Sequence, residues 1–296
     1  MSTNAKKTTE RPAGLLTWTA IGVVVVVIAV LVVIKVTKHT GPTAGDSVTS
    51  SAMVSELTTI PASVYDTVGV TSPAAGVSAP VVTKGQTLLE GTSAVTGKKV
   101  PRVIYVGAEY CPYCAAERWS VITALSRFGT WSGLSNTESA TGDVYGGTQT
   151  FSFVNAKYSS PYIAFDGVEM YSNQVDPATN YYYKLQNLTG VDKTTFATYD
   201  TPTYIPGMSA NDKYAFPFMS IGNKYLLSGA QFSPALLHGV TRDNIASGLS
   251  TASSPFTAAI LSAANYLTAS ICQTTGNMPA DVCTSPAVKT AVHKGL

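Results

Sequence analysis

The sequence predicts an α/β domain behind an N-terminal membrane anchor. Three observations carry this. A short β-branched run, Val103-Ile104-Tyr105-Val106, leads into Cys111-Pro112-Tyr113-Cys114 and then into a helical pattern. Further on, a proline-led hairpin, Ala215 to Leu227, precedes several capped helices. Ahead of both, Leu15 to Ile34 runs for twenty residues without a charge.

Composition sets the frame. The chain has 296 residues, 45% hydrophobic and 12% charged, about half the usual ~25% of charged residues in soluble domains. A net charge of +2 points to neither nucleic acid nor acidic substrates. As a helix, Leu15–Ile34 spans roughly 30 Å, the thickness of a bilayer core. A buried strand and a cleaved signal peptide are the alternatives; the run is long for either, and no clear A-x-A site follows. Lys6, Lys7 and Arg11 precede the span, and Lys35 and Lys38 follow it. That balance leans toward residues 1–14 in the cytoplasm, a single-pass anchor at 15–34, and the large domain on the extracytoplasmic side of the cell membrane. Asn187-Leu188-Thr189 is a glycosylation acceptor pattern usable only outside.

Residues 35–50 read as a tether, and 51–99 as a variable segment packing on the domain. Within it, Ser51 to Tyr65 holds a short helix ending near Pro61. The main domain spans 100–283 and a tail covers 284–296. In the domain, Val103–Val106 is a buried strand. After the cysteine pair, Ala115, Trp119, Ile122 and Leu125 recur at helical spacing, with Gly129 as the expected cap. Thr150–Asn155 alternates as a strand. Tyr162–Tyr171 reads as two strands around an Asp166-Gly167 turn, and a helix is expected near Asp192–Thr198. Phe218–Ile221 and Lys224–Leu227 form a hairpin around Gly222-Asn223, with Pro217 at its start. Ser233-Pro234 and Thr241 start helices, and another runs from Pro255 through Ile271.

Four readings of Cys111 and Cys114 compete. In the first, they form a thiol–disulfide centre. Cys111 sits at the helix start, where unpaired N–H groups and the dipole favour thiolate, and Cys114, one turn in, resolves. Pro112 suits the first helical position. The second reading joins them with Cys272 and Cys283 in a four-thiolate zinc site, but the latter two lack knuckle spacing. The third is a purely structural ring, which constrains little chain. The fourth is a pair of inert buried thiols. Cys272 and Cys283 suit a structural disulfide, worth roughly 2–3 kcal/mol for a loop of this size, and such bonds imply an oxidising compartment.

Several runs resemble a known family. Gly107–Trp119 (GAEYCPYCAAERW), Ser159–Asn173, Ala215–Pro234 and Ile260–Cys272 are similar to an archaeal membrane-anchored thioredoxin-like family, the domain of unknown function DUF929. Ala108–Cys114 resembles the thioredoxin active-site run, and CPYC is the core of glutaredoxins. The resemblance implies a three-layer thioredoxin-like fold, a central mixed sheet with flanking helices, carrying a long insertion at about 156–214. It implies that Cys111 and Cys114 are catalytic, and that Phe216-Pro217 is the cis-proline position that pairs with substrate peptide. Pro112, Tyr113 and Glu109 play supporting roles. It implies no metal and no cofactor beyond the redox-active disulfide. One departure is notable: the buried acid that thioredoxin places six residues before its first cysteine is Tyr105 here. Glu109 and Glu117 are the candidate substitutes, although both are expected on an exposed helix side.

His39, His238 and His293 have no ligand spacing and are expected at the surface. Trp119 and Trp131 are expected in the core. Tyr181-Tyr182-Tyr183 reads as a partly buried cluster, with a binding platform as the alternative. The expected function is a membrane-anchored extracytoplasmic thiol–disulfide oxidoreductase that oxidises, isomerises or reduces protein disulfides. Its partners would be protein thiols or disulfides, a redox-recycling partner, and membrane lipid through 15–34. The alternative is a non-catalytic cell-envelope or interaction protein on the same scaffold.

Overall fold

The computed structural model describes residue 45, residues 47–70 and residues 76–296. The expected anchor at 15–34, the segment before it and most of the tether lie outside the described residues. Among the described residues no helix is long and apolar enough to cross a membrane.

In chain order the elements are β1 (Ser47–Val48), α1 (Ser51–Thr58), α2 (Ala62–Val68), β2 (Val81–Val82), β3 (Glu90–Thr92), β4 (Lys99–Gly107) and α3 (Pro112–Leu125). Then come β5 (Thr130–Ser132), β6 (Ser135–Glu138), β7 (Gln149–Ser152), β8 (Lys157–Ser159), β9 (Ala164–Glu169), β10 (Tyr171–Asp176), β11 (Tyr181–Lys184) and α4 (Gly190–Tyr199). The chain closes with β12 (Phe218–Ile221), β13 (Tyr225–Ser228), a 3-10 turn at Pro234–Leu236, α5 (Arg242–Gly248), α6 (Pro255–Thr274), α7 (Ala280–Cys283) and α8 (Pro286–His293).

The central sheet is mixed. β4 pairs antiparallel with β12, β12 with β13, and β13 with β2. On its other side β4 pairs parallel with β9 and, at its start, antiparallel with β3. Alternate residues of β4 face opposite sides, as the two-residue strand period dictates. Val103 and Tyr105 join an apolar cluster with α3 and α6, and Ile104 and Val106 join a second with Phe196 and Tyr199 of α4. The sheet therefore lies between two apolar layers, with helices on both faces.

Local chemistry explains most boundaries. Ser50 and Ser254 accept from the amides of Met53 and Thr257 as N-caps of α1 and α6. Pro61 stops one helix and opens the next, so the single helix expected over Ser51–Tyr65 is two, α1 and α2. The helix after the cysteines ends at Leu125, ahead of the expected Gly129 cap. Gly222 and Asn223 take positive φ, 60° and 58°, as a tight two-residue hairpin turn demands.

The expected hairpin at Tyr162–Tyr171 is not one. Asp166-Gly167 lies inside the single strand β9, which runs parallel to β4. Gly167 serves close approach instead of a turn: a Cβ there would sit 2.8 Å from Cβ of Phe153. Phe153 belongs to an aromatic group with Tyr105, Trp131 and Phe165.

α1 and α2 are integral to the core. Leu57 and Tyr65 are buried in it, and the Tyr65 hydroxyl donates to the carbonyl of Thr123 in α3 at 3.1 Å. Arg127 lies 4.5 Å above the Tyr65 ring. Buried Asn265 of α6 donates to the carbonyls of Tyr65 and Gly69, both at 2.9 Å. Trp119 and Trp131 are buried, and His238 and His293 are exposed.

Candidate functional site

The site forms where three strands end together. β4 stops at Gly107, and the parallel register sets Glu169, the last residue of β9, opposite it. The antiparallel register sets Phe218, the first residue of β12, opposite Val106. The cis bond Phe216-Pro217 lies just before it. The loop from Ala108 to Cys111 is tied down on several sides. The Glu109 amide donates to Tyr171, the Ala140 amide to Tyr110, and the Met170 amide to Gly107. This loop delivers Cys111 to the N-cap of α3.

Cys111 is 7% exposed and Cys114 fully buried. The Cys114 amide donates to Cys111 Sγ at 3.3 Å, and Cys111 Sγ donates to the Phe216 carbonyl at 3.8 Å. Both thiols are free. The Cys114 thiol is the main influence holding the Cys111 thiol below its ordinary value; burial opposes it, and the Cys114 and Tyr113 amides and the Arg118 guanidinium add to it. Burial, and then the Cys111 thiol, push Cys114 well up. The pair is thus asymmetric, with the anion favoured on the sulfur at the helix tip. Pro112 occupies the first turn of α3, and Tyr113 is 42% exposed.

Cys272 and Cys283 are joined to each other, with Cα atoms 5.5 Å apart, and are not gathered with Cys111 and Cys114.

The expected exposure of Glu109 and Glu117 is overturned. Each is 1% exposed: Glu109 lies in the tied-down loop before Cys111, and Glu117 lies on α3, where every residue but Tyr113 is buried. Burial raises both to about 7. Glu117 Oε2 accepts from the Gln231 amide at 2.9 Å. Tyr105, in the place of the missing acid, buries its hydroxyl without a hydrogen-bond partner. Burial holds that hydroxyl well above its ordinary value, so Tyr105 stays protonated and offers no base.

The charges that act on the thiols come from a pair that the sequence reading did not single out. Arg118 donates through Nε to Glu169 Oε1 at 2.8 Å and through Nη2 to Oε2 at 2.7 Å, with both side chains fully buried. Arg118 Nη2 also donates to the Ala108 carbonyl at 2.8 Å. One signal for Arg118 was present: Cys111, Cys114 and Arg118 stand at i, i+3 and i+7, one face of a helix. Glu169 carried no local signal.

Around Cys111 the 156–214 segment builds an aromatic wall. Tyr110 stacks on Tyr182 at 4.1 Å and meets Tyr171 and Tyr181 at wider angles. Phe196 stacks on Phe216 with centroids 6.2 Å apart. Tyr110, Tyr171, Tyr181, Phe196, Tyr214 and Met170 border a cavity of about 420 Å³ that opens onto Cys111 and Phe216. The tyrosine run is a strand with Tyr181 48% exposed.

Residues 91–273, more than half of the chain, match the family described as Domain of unknown function (DUF929), and the chain belongs to that family. No curated protein and no solved structure matches it significantly.

Proposed function

We propose that this member of the DUF929 family is a membrane-anchored, extracytoplasmic thiol–disulfide oxidoreductase on a thioredoxin-like fold. The spatial order β9-β4-β12-β13, the CPYC pair at the start of the helix after β4, and the cis-proline opening β12 support the fold. One observation carries the function: Cys111 Sγ caps a helix, accepts from the Cys114 amide, and lies 3.8 Å from the carbonyl of the residue before that proline.

The chemistry follows. Cys111 thiolate attacks one sulfur of a substrate disulfide. The substrate S–S bond breaks, the departing thiolate takes a proton, and a mixed disulfide joins Cys111 to the substrate. Cys114 then gives up its proton and attacks Cys111 Sγ as thiolate; the Cys111–substrate bond breaks, and the departing substrate thiolate takes up a proton. Substrate gains two electrons, and the Cys111–Cys114 pair becomes a disulfide. Run in reverse, the oxidised pair oxidises or shuffles protein thiols, and a redox-recycling partner resets it. Phe216 and Pro217 position the peptide, and Pro112, Tyr113 and the loop holding Glu109 shape the pair. No cofactor beyond the redox-active disulfide takes part. The extracytoplasmic location is supported by the uncharged run 15–34 and by the Cys272–Cys283 bond, which persists in oxidising compartments.

Insulin reduction and refolding of a scrambled disulfide substrate by the full-length protein test this. Wild type should be active and Cys111→Ser inactive, and Cys114→Ser should trap a mixed disulfide. Equal rates for wild type and Cys111→Ser would refute the reading.

A further inference from the structure

We propose that the groove leaving Cys111 past Tyr214 and Phe196 toward Lys184 and Lys193 binds an extended peptide segment of the substrate protein. That segment carries a large apolar side chain beside its reactive cysteine and an acidic side chain beyond it. The inference rests on the thiol–disulfide reading and names the substrate class for that site.

The cavity at Cys111 does not end at the cysteine pair. A second cavity, of about 450 Å³, shares Met170, Phe196 and Tyr214 with it, so the two lie side by side along these residues. The shared section is apolar and aromatic. Phe196 forms its floor at 8% exposure, and Tyr214 stands at its edge, 44% exposed. An extended chain leaving Cys111 along this groove therefore meets first a surface that rewards a large apolar side chain.

Charge changes at the far end. Lys184 and Lys193 line the second cavity beside Asn187 and Leu188, and both lysines are exposed. Lys213, outside the lining and next to Asp212 in sequence, holds its Nζ 5.4 Å from the Tyr214 ring centre. No acidic residue lines either cavity. The neighbouring acid in sequence, Asp192, is occupied by Arg102 at 2.8 Å. Among the described residues no carboxylate pairs with Lys184, Lys193 or Lys213. Two exposed cations in a cavity that no acidic residue lines complement a carboxylate in the ligand, which also steers its approach. Lys193 and Phe196 stand one turn of α4 apart, about 5 Å along its axis, so the acid follows the apolar residue by one or two positions.

The test uses full-length reduced protein and disulfide-linked reporter peptides built on Cys-Phe-Glu, Cys-Phe-Lys and Cys-Ser-Glu cores. Each rate is divided by that of a small neutral disulfide, 2,2′-dithiodipyridine, which carries neither a peptide chain nor a carboxylate. For wild type, relative kcat/KM should favour Cys-Phe-Glu over Cys-Phe-Lys by about three- to tenfold, the size two exposed ion pairs give. Added salt should shrink that preference. Lys184→Glu/Lys193→Glu should reverse it, and Tyr214→Ser should shrink the preference for Cys-Phe-Glu over Cys-Ser-Glu. Equal relative rates for all peptides, in a protein that still reduces dithiodipyridine, would overturn the groove inference and leave the exchange chemistry standing. No reduction of dithiodipyridine by wild type would overturn the exchange reading, and the groove inference with it.

Discussion

The buried pair Arg118–Glu169 yields the sharpest stability prediction. Two hydrogen bonds of 2.8 and 2.7 Å join side chains that are both fully buried. Glu169→Gln leaves the guanidinium charged, because arginine does not give up its proton, and strands it away from water. Breaking one side of such a pair costs about 3–5 kcal/mol. For a unit of this size that lowers Tm by roughly 6–20 °C. Replacing both partners, Arg118→Met/Glu169→Leu, removes the charge and leaves chiefly the Ala108 carbonyl without its donor. The double variant should therefore lie within about 2 kcal/mol of wild type. Thermal unfolding followed by circular dichroism measures all three proteins. In parallel, iodoacetamide labelling against pH reads the Cys111 thiol. Its midpoint should rise in the double variant, because Arg118 favours the Cys111 thiolate. A Glu169→Gln protein melting within about 2 °C of wild type, or a double variant as unstable as the single, would refute the argument.

Three further outcomes are expected. Burial raises the Glu117 carboxyl to about 7 from an ordinary 4.5, so the folded state holds a proton that the unfolded chain releases. Its contribution is therefore best below about pH 4.5 and falls by about 3 kcal/mol as pH rises to 7; Glu117→Gln should flatten this slope, and identical Tm–pH profiles would count against it. Gly167→Ala would set a methyl 2.8 Å from Cβ of Phe153 and should cost about 1–3 kcal/mol in urea unfolding; an unchanged midpoint would show that the sheet yields freely. Cys272→Ala/Cys283→Ala opens a bridge between positions 11 apart. It should lose roughly 3 kcal/mol by the chain-entropy relation, read as a lower denaturant midpoint that reductant no longer shifts.

What was legible in the sequence was local. The strand before CPYC, the helix after it and the turn at Gly222-Asn223 announce themselves within a few residues, because caps, prolines and apolar periods act at that range. The elements that failed were decided at long range. Asp166-Gly167 has the composition of a turn, but β4 recruits it into a parallel strand, and the need for glycine comes from Phe153, distant in sequence. Glu109 and Glu117 look like solvent-facing carboxylates because nothing nearby reveals that the loop before Cys111 is covered and that α3 is buried along nearly its whole length. In the candidate site, the spacing of the cysteines placed them at one helix start. Glu169, Tyr171, Tyr181 and Tyr214 arrive through sheet register and through the 156–214 segment, which no local pattern connects to Cys111.

The packing of α1 and α2 bears on how the molecule is divided. The stretch that defines the family, 91–273, is shorter than the piece that folds together. A fragment trimmed to those limits would strip the Tyr65 ring from Arg127, leave the buried Asn265 amide with nothing to donate to, and turn Cys272 into an orphan sulfhydryl. The autonomous unit therefore starts before α1 and continues through α8, and boundaries drawn from family similarity alone would cut through its core.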